Sequence, residues 1–266
     1  EPDFNIKGDW LIGQYFEKTL QVDDGHALGK HIFGAEKPPA FVYKRSGKGA
    51  TILMNYIETE YRRVPENWQR MFANELLKMA GIASPVTLRD RAKDGEILQS
   101  GLKATRWLDG DAEYYGLLLD QGKNVDIQVQ KSGYLYELSQ SKGFLGKGNT
   151  ASLDLRDAPY ALLAVLPYKV DAVGLKAGAG RLGQGVPLEF SLKVSNGTPV
   201  KHVVHLDVYK PDGSYHYSYS RNFVFTHGKW TGVLPLALND PSGRWTVKAR
   251  EVVSGLTAEA TVQVQK

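Results

Sequence analysis

The feature that most limits what this chain can become is the regular placement of turn chemistry through its C-terminal third. Ser195-Asn-Gly-Thr-Pro199, Pro211-Asp-Gly213, Asn239-Asp-Pro-Ser-Gly243 and Ser254-Gly255 each combine residues that accept a left-handed or proline-fixed backbone. The runs between them are Pro187–Val194, Lys201–Tyr209, Ser214–Phe225, Gly232–Leu238, Gly243–Val252 and Leu256–Gln265. They are too short for stable helices, and most alternate apolar with polar residues, the period of a half-buried strand. Such a succession, with Trp245 in a late strand, predicts an antiparallel β-sandwich over 171–266. The glycine-rich stretch Gly174–Gly185 that precedes it reads as a linker and first turn. Its Gly178-Ala-Gly180-Arg-Leu-Gly183 spacing matches a dinucleotide loop, but that chemistry needs a helix N-terminus after the glycines, and here a strand with Pro187 follows.

Upstream, strand patterns recur at short intervals over 84–170. Lys103–Leu108, the turn Asp109-Gly-Asp111 and Glu113–Asp120 read as a hairpin. Asn124–Gln130, Gly133–Leu138, Ala151–Leu155 and Tyr160–Val165 complete a small antiparallel domain. Residues 1–83 differ. Ala40–Tyr43 and Ala50–Asn55 flank Ser46-Gly-Lys-Gly49 as a hairpin, and Trp68, Met71, Phe72, Leu76 and Met79 recur at helical spacing between Pro65 and a stop at Gly81. The expected fold class is therefore mostly β with a small α/β segment. It comprises two antiparallel β-sandwich domains, the C-terminal one immunoglobulin-like.

Several chemistries are disfavoured by residue type and spacing. The chain has no cysteine, so thiolate nucleophiles, thiolate metal sites and disulfides are absent. Its net charge of +4 comes from scattered lysines and arginines interleaved with acids, not from the basic face that a nucleic acid requires. No apolar run approaches the ~20 residues of a membrane-spanning helix. His202 and His205 are an odd number of positions apart and so point to opposite faces of a strand; neither they nor His26, His31 and His216 carry metal-ligand spacing. Neither Glu58 with Glu60 nor Asp109 with Asp111 can span a cleft as a glycosidase pair does. No Gly-x-Ser-x-Gly elbow is present, and no cofactor or metal is expected.

Aromatic side chains are what remain. Tyr215, Tyr217 and Tyr219 alternate with polar residues, and Trp107, Tyr114 and Tyr115 cluster in the middle hairpin. Each group is either a core face or a platform on which the apolar faces of sugar rings stack. These six residues are the candidate ligand contacts.

Gly49–Tyr56 with the helix ending Leu76-Leu-Lys-Met-Ala-Gly-Ile82 resembles the closing strand and helix of a glutamine-amidotransferase-like layer. Gly133-Tyr-Leu-Tyr-Glu-Leu138, Gly143–Gly146 and Ala161–Val170 resemble the small β-domain that follows it in bacterial β-galactosidases of the trimerisation-domain type. The last domain resembles immunoglobulin-like or macroglobulin-like modules of bacterial surface and carbohydrate-active proteins. The catalytic acids of that family sit on a barrel that this sequence lacks, so no catalytic residue carries over. The resemblance implies a non-catalytic accessory region of an exported carbohydrate-processing protein, acting by scaffolding, oligomer contact or weak glycan binding. An upstream catalytic domain or a partner chain would then complete it. A cell-surface or periplasmic interaction module with a protein partner, or an unfamiliar hydrolase using interdomain carboxylates, are the rival expectations.

Overall fold

The computed structural model describes residues 16–31, 37–55, 66–98, 101–140 and 142–266. Glu58, Glu60 and Pro65 lie outside them. The chain is mostly β, built of antiparallel sheets in a sandwich-like arrangement. It divides into two compact units, Glu1–Ser84 with Leu98–Gly101, and Pro85–Ile97 with Leu102–Lys266.

In the first unit, β1 (His26–Lys30), β2 (Pro39–Ser46) and β3 (Gly49–Met54) form an antiparallel meander, with Gly47 supplying the positive φ of the tight turn. Helix α1 (Glu66–Met79) contributes Phe72, whose ring lies 5.0 Å from that of Phe41 on β2. The helix ends as the sequence indicates. Gly81, at φ +72, donates to the Lys78 carbonyl while Ile82 donates to that of Leu77, satisfying carbonyls that the helix leaves free.

The second unit begins with β4 (Val86–Asp90), β5 (Glu96–Ile97), β6 (Leu102–Asp109), β7 (Ala112–Leu119), β8 (Asn124–Glu137), β9 (Gly143–Asp154) and β10 (Tyr160–Leu166). These form one seven-stranded sheet in the order β5-β4-β8-β10-β7-β6, with β9 on the other side of β8. The two runs expected on either side of Lys131 are a single strand, β8. The register against β9 shifts between Gln128 and Gly133, so a bulge, not a turn, separates them.

The rest is a two-layer sandwich. One sheet holds β11 (Val170–Ala177), β13 (Gly185–Val194) and β16 (Lys229–Pro235). The other holds β12 (Gly180–Arg181), β18 (Thr257–Gln265), β17 (Gly243–Glu251), β14 (His202–Tyr209) and β15 (Arg221–Phe225). Between the layers lie Phe190, Leu206, Val208, Trp245, Val247 and Val262. The same apolar cluster takes in Ala112, Tyr136, Ala164 and Leu166 of the seven-stranded sheet, so sheet and sandwich share one continuous core.

Two expectations are corrected here. Gly174–Gly185 is not a linker: β11 pairs with β13 through Ala177, and Gly180–Arg181 pairs with β18. Its glycines mark close approach, since a Cβ on Gly180 would meet Val186, Val262 and Val264 at 3.0–3.1 Å. Nor is Ser214–Phe225 one strand. Ser220 breaks the ladder: its hydroxyl accepts from the Val208 amide and donates to the His216 carbonyl, folding Tyr217–Tyr219 into a turn.

Candidate functional site

The constellation that most resembles catalytic machinery lies where the seven-stranded sheet meets the sandwich. Tyr168, in the connection between β10 and β11, places its hydroxyl 2.9 Å from His202 Nε2, and His202 Nδ1 lies 3.0 Å from Glu251 Oε1. The strand pattern explains the placement: β14 buries every second residue, so His202 faces inward while His205 stays at the surface. Proton positions follow from satisfaction of donors. The Val200 amide donates to the Tyr168 oxygen at 2.6 Å, and assigning the tyrosine proton to Nε2 and the imidazole proton to Nδ1, toward Glu251, gives each group a partner.

Glu251 is thus a buried carboxylate held entirely by donors. Besides His202 it accepts from the Val253 amide at 3.0 Å and from the Ser254 amide and hydroxyl, each at 2.6 Å. Burial pushes its pKa up, but the bonds from His202 and Ser254 outweigh burial and hold it below the usual carboxylate value. Burial raises the Tyr168 hydroxyl to about 12, so it stays a neutral donor. Tyr168, His202 and Glu251 are each at most 1% exposed, which leaves no path for a substrate. Glu137 at the end of β8 is handled alike: buried, it accepts from the amides of Ser139 and Gln140 and from the Ser139 hydroxyl.

Two of the six aromatic candidates belong to the interior. Tyr115 is fully buried and donates to Glu113 at 2.5 Å, while Arg106 grips the same carboxylate through two bonds. Tyr114, half-buried, packs against the shared core. In the loop after β14, Tyr219 stacks on His216 at 3.9 Å and donates to Asp240 at 2.6 Å, over the buried Trp245. Tyr215 packs edge-on against Tyr209, and Tyr217 is 84% exposed with no neighbouring aromatic ring among the described residues.

Trp107 has the most site-like surroundings. Residues directly opposed on antiparallel strands share a face, and the registers lay out a grid across β10, β7 and β6. One row is Tyr160, Leu118, Lys103; the next is Leu162, Gly116, Thr105; the third is Ala164, Tyr114, Trp107. Ala164 and Tyr114 of the third row, with Ala112 and Leu166 beyond it, belong to the core shared with the sandwich, whereas Trp107 at the row's edge and Leu118 and Tyr160 of the first row are exposed. The indole of Trp107 leans into the open part. A Cβ on Gly116 would meet its ring at 2.9 Å, so only glycine lets the ring lie on the sheet. Trp107, Leu118 and Tyr160 are 51%, 47% and 48% exposed.

Gly116, Leu118 and Tyr160 were not among the candidates. The signal for two of them was present in the hairpin itself, because the Asp109-Gly-Asp111 turn fixes Thr105 opposite Gly116 and Lys103 opposite Leu118. Tyr160 needed the β10–β7 pairing, which no local pattern specifies. Among the described residues no group of three His, Asp or Glu side chains could hold a metal ion, and no helix is long and apolar enough to cross a membrane.

No protein-family model matches the chain, and no curated protein matches it in sequence. Solved structures show partial likeness. The Pseudomonas fluorescens alkylpurine DNA glycosylase AlkC, bound to DNA containing an abasic site analog, is similar over 37% of this chain and 30% of that one, at 17% identity and a TM-score of 0.26. Salmonella α-2-macroglobulin reacted with methylamine is similar over 84% of this chain and 20% of its own, at 11% identity and a TM-score of 0.27. Bacteroides uniformis β-glucuronidase is similar over 57% and 26%, at 13% identity and a TM-score of 0.21. The chain spans at most 30% of the length of these three proteins, and likenesses this slight carry no argument about activity.

Proposed function

We propose that this chain is a non-catalytic accessory region of a carbohydrate-processing protein, serving as a β scaffold with a glycan-contacting surface. One observation carries the reading. The acid, histidine and tyrosine that could have formed a catalytic relay are closed off: each is at most 1% exposed, the Tyr168 bonds tie the β10–β11 connection to the sandwich, and Glu251 is spent on His202 and its own turn. General acid–base chemistry needs a group within hydrogen-bond reach of a substrate proton, and this relay has no exposed edge to offer. The surface aromatics, in contrast, stand on sheet faces and loops where a ligand can approach.

The test is incubation of the full chain with chromogenic aryl glycosides and with soluble polysaccharides, followed by reducing-end analysis. The expected result is no turnover by the wild-type chain and none gained or lost in Glu251→Gln. Hydrolysis that disappears in Glu251→Gln would overturn the proposal, because it would make the buried carboxylate a working acid.

A further inference from the structure

We propose that the open half of the β10–β7–β6 face, floored by Gly116 and Leu118 and bracketed by Trp107 and Tyr160, binds a flat-faced pyranose chain of about two rings. This rests on the glycan-contacting reading above and gives it a location and a ligand class.

The setting of Trp107 points to a ligand. Covering a glycine with a cross-strand aromatic restores packing that the missing side chain forfeits, and this accounts for one face of the indole. It does not account for the other face. Leu118 and Tyr160 are also about half exposed beside it, so the apolar surface continues across three strands. A pyranose with equatorial substituents turns axial C–H bonds to each face. Laid on the indole, it buries apolar area and meets the negative π face with its weakly positive hydrogens. Its hydroxyl groups then point to the rim, where Thr105, Lys103 and the Gln140 carboxamide stand; Gln140 Nε2 already bonds the Tyr160 carbonyl at 3.2 Å.

The size of the open face limits what can occupy it. Two same-face rows across three strands cover about 200 Å² at strand spacings of about 4.8 Å. A stable protein partner or a second copy of this chain needs about 800 Å² per side, four times as much. Ala164 and Tyr114, which belong to the core shared with the sandwich, stop extension in one direction along β10 and β7. Two or so sugar rings fit what remains. Charge agrees: Lys103 is the only ionic side chain in the two open rows, so an uncharged ligand meets no buried or repelled ion there.

Affinity electrophoresis of the full chain through gels containing hydroxyethylcellulose or xylan, both β-1,4-linked and equatorial, tests the site. Wild type is expected to be retarded by at least one polymer. Trp107→Ala should weaken binding tenfold or more, Trp107→Phe should keep part of it, and Gly116→Val should lose it by lifting the indole. Glu259→Gln, at the exposed ion pair with Lys248, should bind as wild type does. Cooperative melting of Trp107→Ala, whose side chain is half exposed, confirms a folded variant. Equal retardation of wild type and Trp107→Ala would overturn the site while leaving the glycan reading in place. No retardation of wild type by either polymer would overturn both. Concentration-dependent dimerisation abolished by Trp107→Ala would make the face a self-interface and overturn the proposal differently.

Discussion

Replacing Glu251 by Gln alters one atom of the buried network and should cost far more than its size suggests. The carboxylate has two acceptor oxygens, one taking His202 Nδ1–H and the Val253 amide, the other taking the amide and hydroxyl of Ser254. An amide has one acceptor oxygen and one NH2. If the oxygen faces His202, the NH2 confronts the Ser254 amide; the serine hydroxyl can rotate to accept, but the backbone N–H cannot. If the oxygen faces Ser254, the Val253 amide loses its acceptor instead. At least one buried N–H is left unpaired, at about 1–3 kcal/mol, and the charge-assisted character of the remaining bonds is lost as well. A total near 3 kcal/mol is expected at pH 7, lowering the melting temperature by roughly 6–12 °C for a unit of this size. Urea unfolding followed by tryptophan fluorescence measures it. Glu259→Gln, at the exposed ion pair with Lys248, is the control and should stay within about 0.5 kcal/mol. A loss below about 0.5 kcal/mol for Glu251→Gln would refute the account of Glu251 as a four-donor anchor.

Further outcomes follow from the same structure. Because the Glu251 pKa is depressed on folding, its contribution is complete above the unfolded value of about 4.3 and fades as pH falls through the lower folded value. The stability gap between wild type and Glu251→Gln should therefore narrow below about pH 4 in urea titrations; a gap that widens would reverse the sign of the argument. Gly180→Val should destabilise by about 1–3 kcal/mol, since three valines stand within 3.1 Å of the new Cβ, and a neutral result would place the β12–β18 approach wrongly. Trp245→Ala, which empties the centre of the sandwich, should cost about 3–5 kcal/mol by the same assay.

Local chemistry made much of this fold readable. The Asp109-Gly-Asp111 turn sets the β6–β7 register, and Gly81 closes the helix with the bonds its position promised. Parity alone put His202 and His205 on opposite faces of a strand, as β14 shows. What failed was composition taken for conformation. Glycines at Gly174, Gly178 and Gly180 suggested a flexible link because nothing in one sequence distinguishes a glycine that permits motion from one that permits contact. Ser220 ended an apparently continuous aromatic strand through bonds to Val208 and His216, which pattern counting does not register. The buried relay was illegible for a different reason: Tyr168, His202 and Glu251 are far apart in the chain, and only sheet pairing brings them together. The open face of β10, β7 and β6 was half legible, as Trp107 without the neighbours that give it a floor.

The indole N–H signals of the five tryptophans, in a nitrogen-edited NMR spectrum titrated with xylo- or cello-oligosaccharide, test the account most directly. The Trp107 signal, assigned by its loss in Trp107→Phe, should shift saturably. The Trp245 signal, tied to the Pro241 carbonyl at 2.9 Å inside the sandwich, should stay in place, and the oligosaccharide should be recovered intact. A stationary Trp107 signal, or cleavage of the sugar during the titration, would contradict a non-catalytic scaffold that meets glycans on this face.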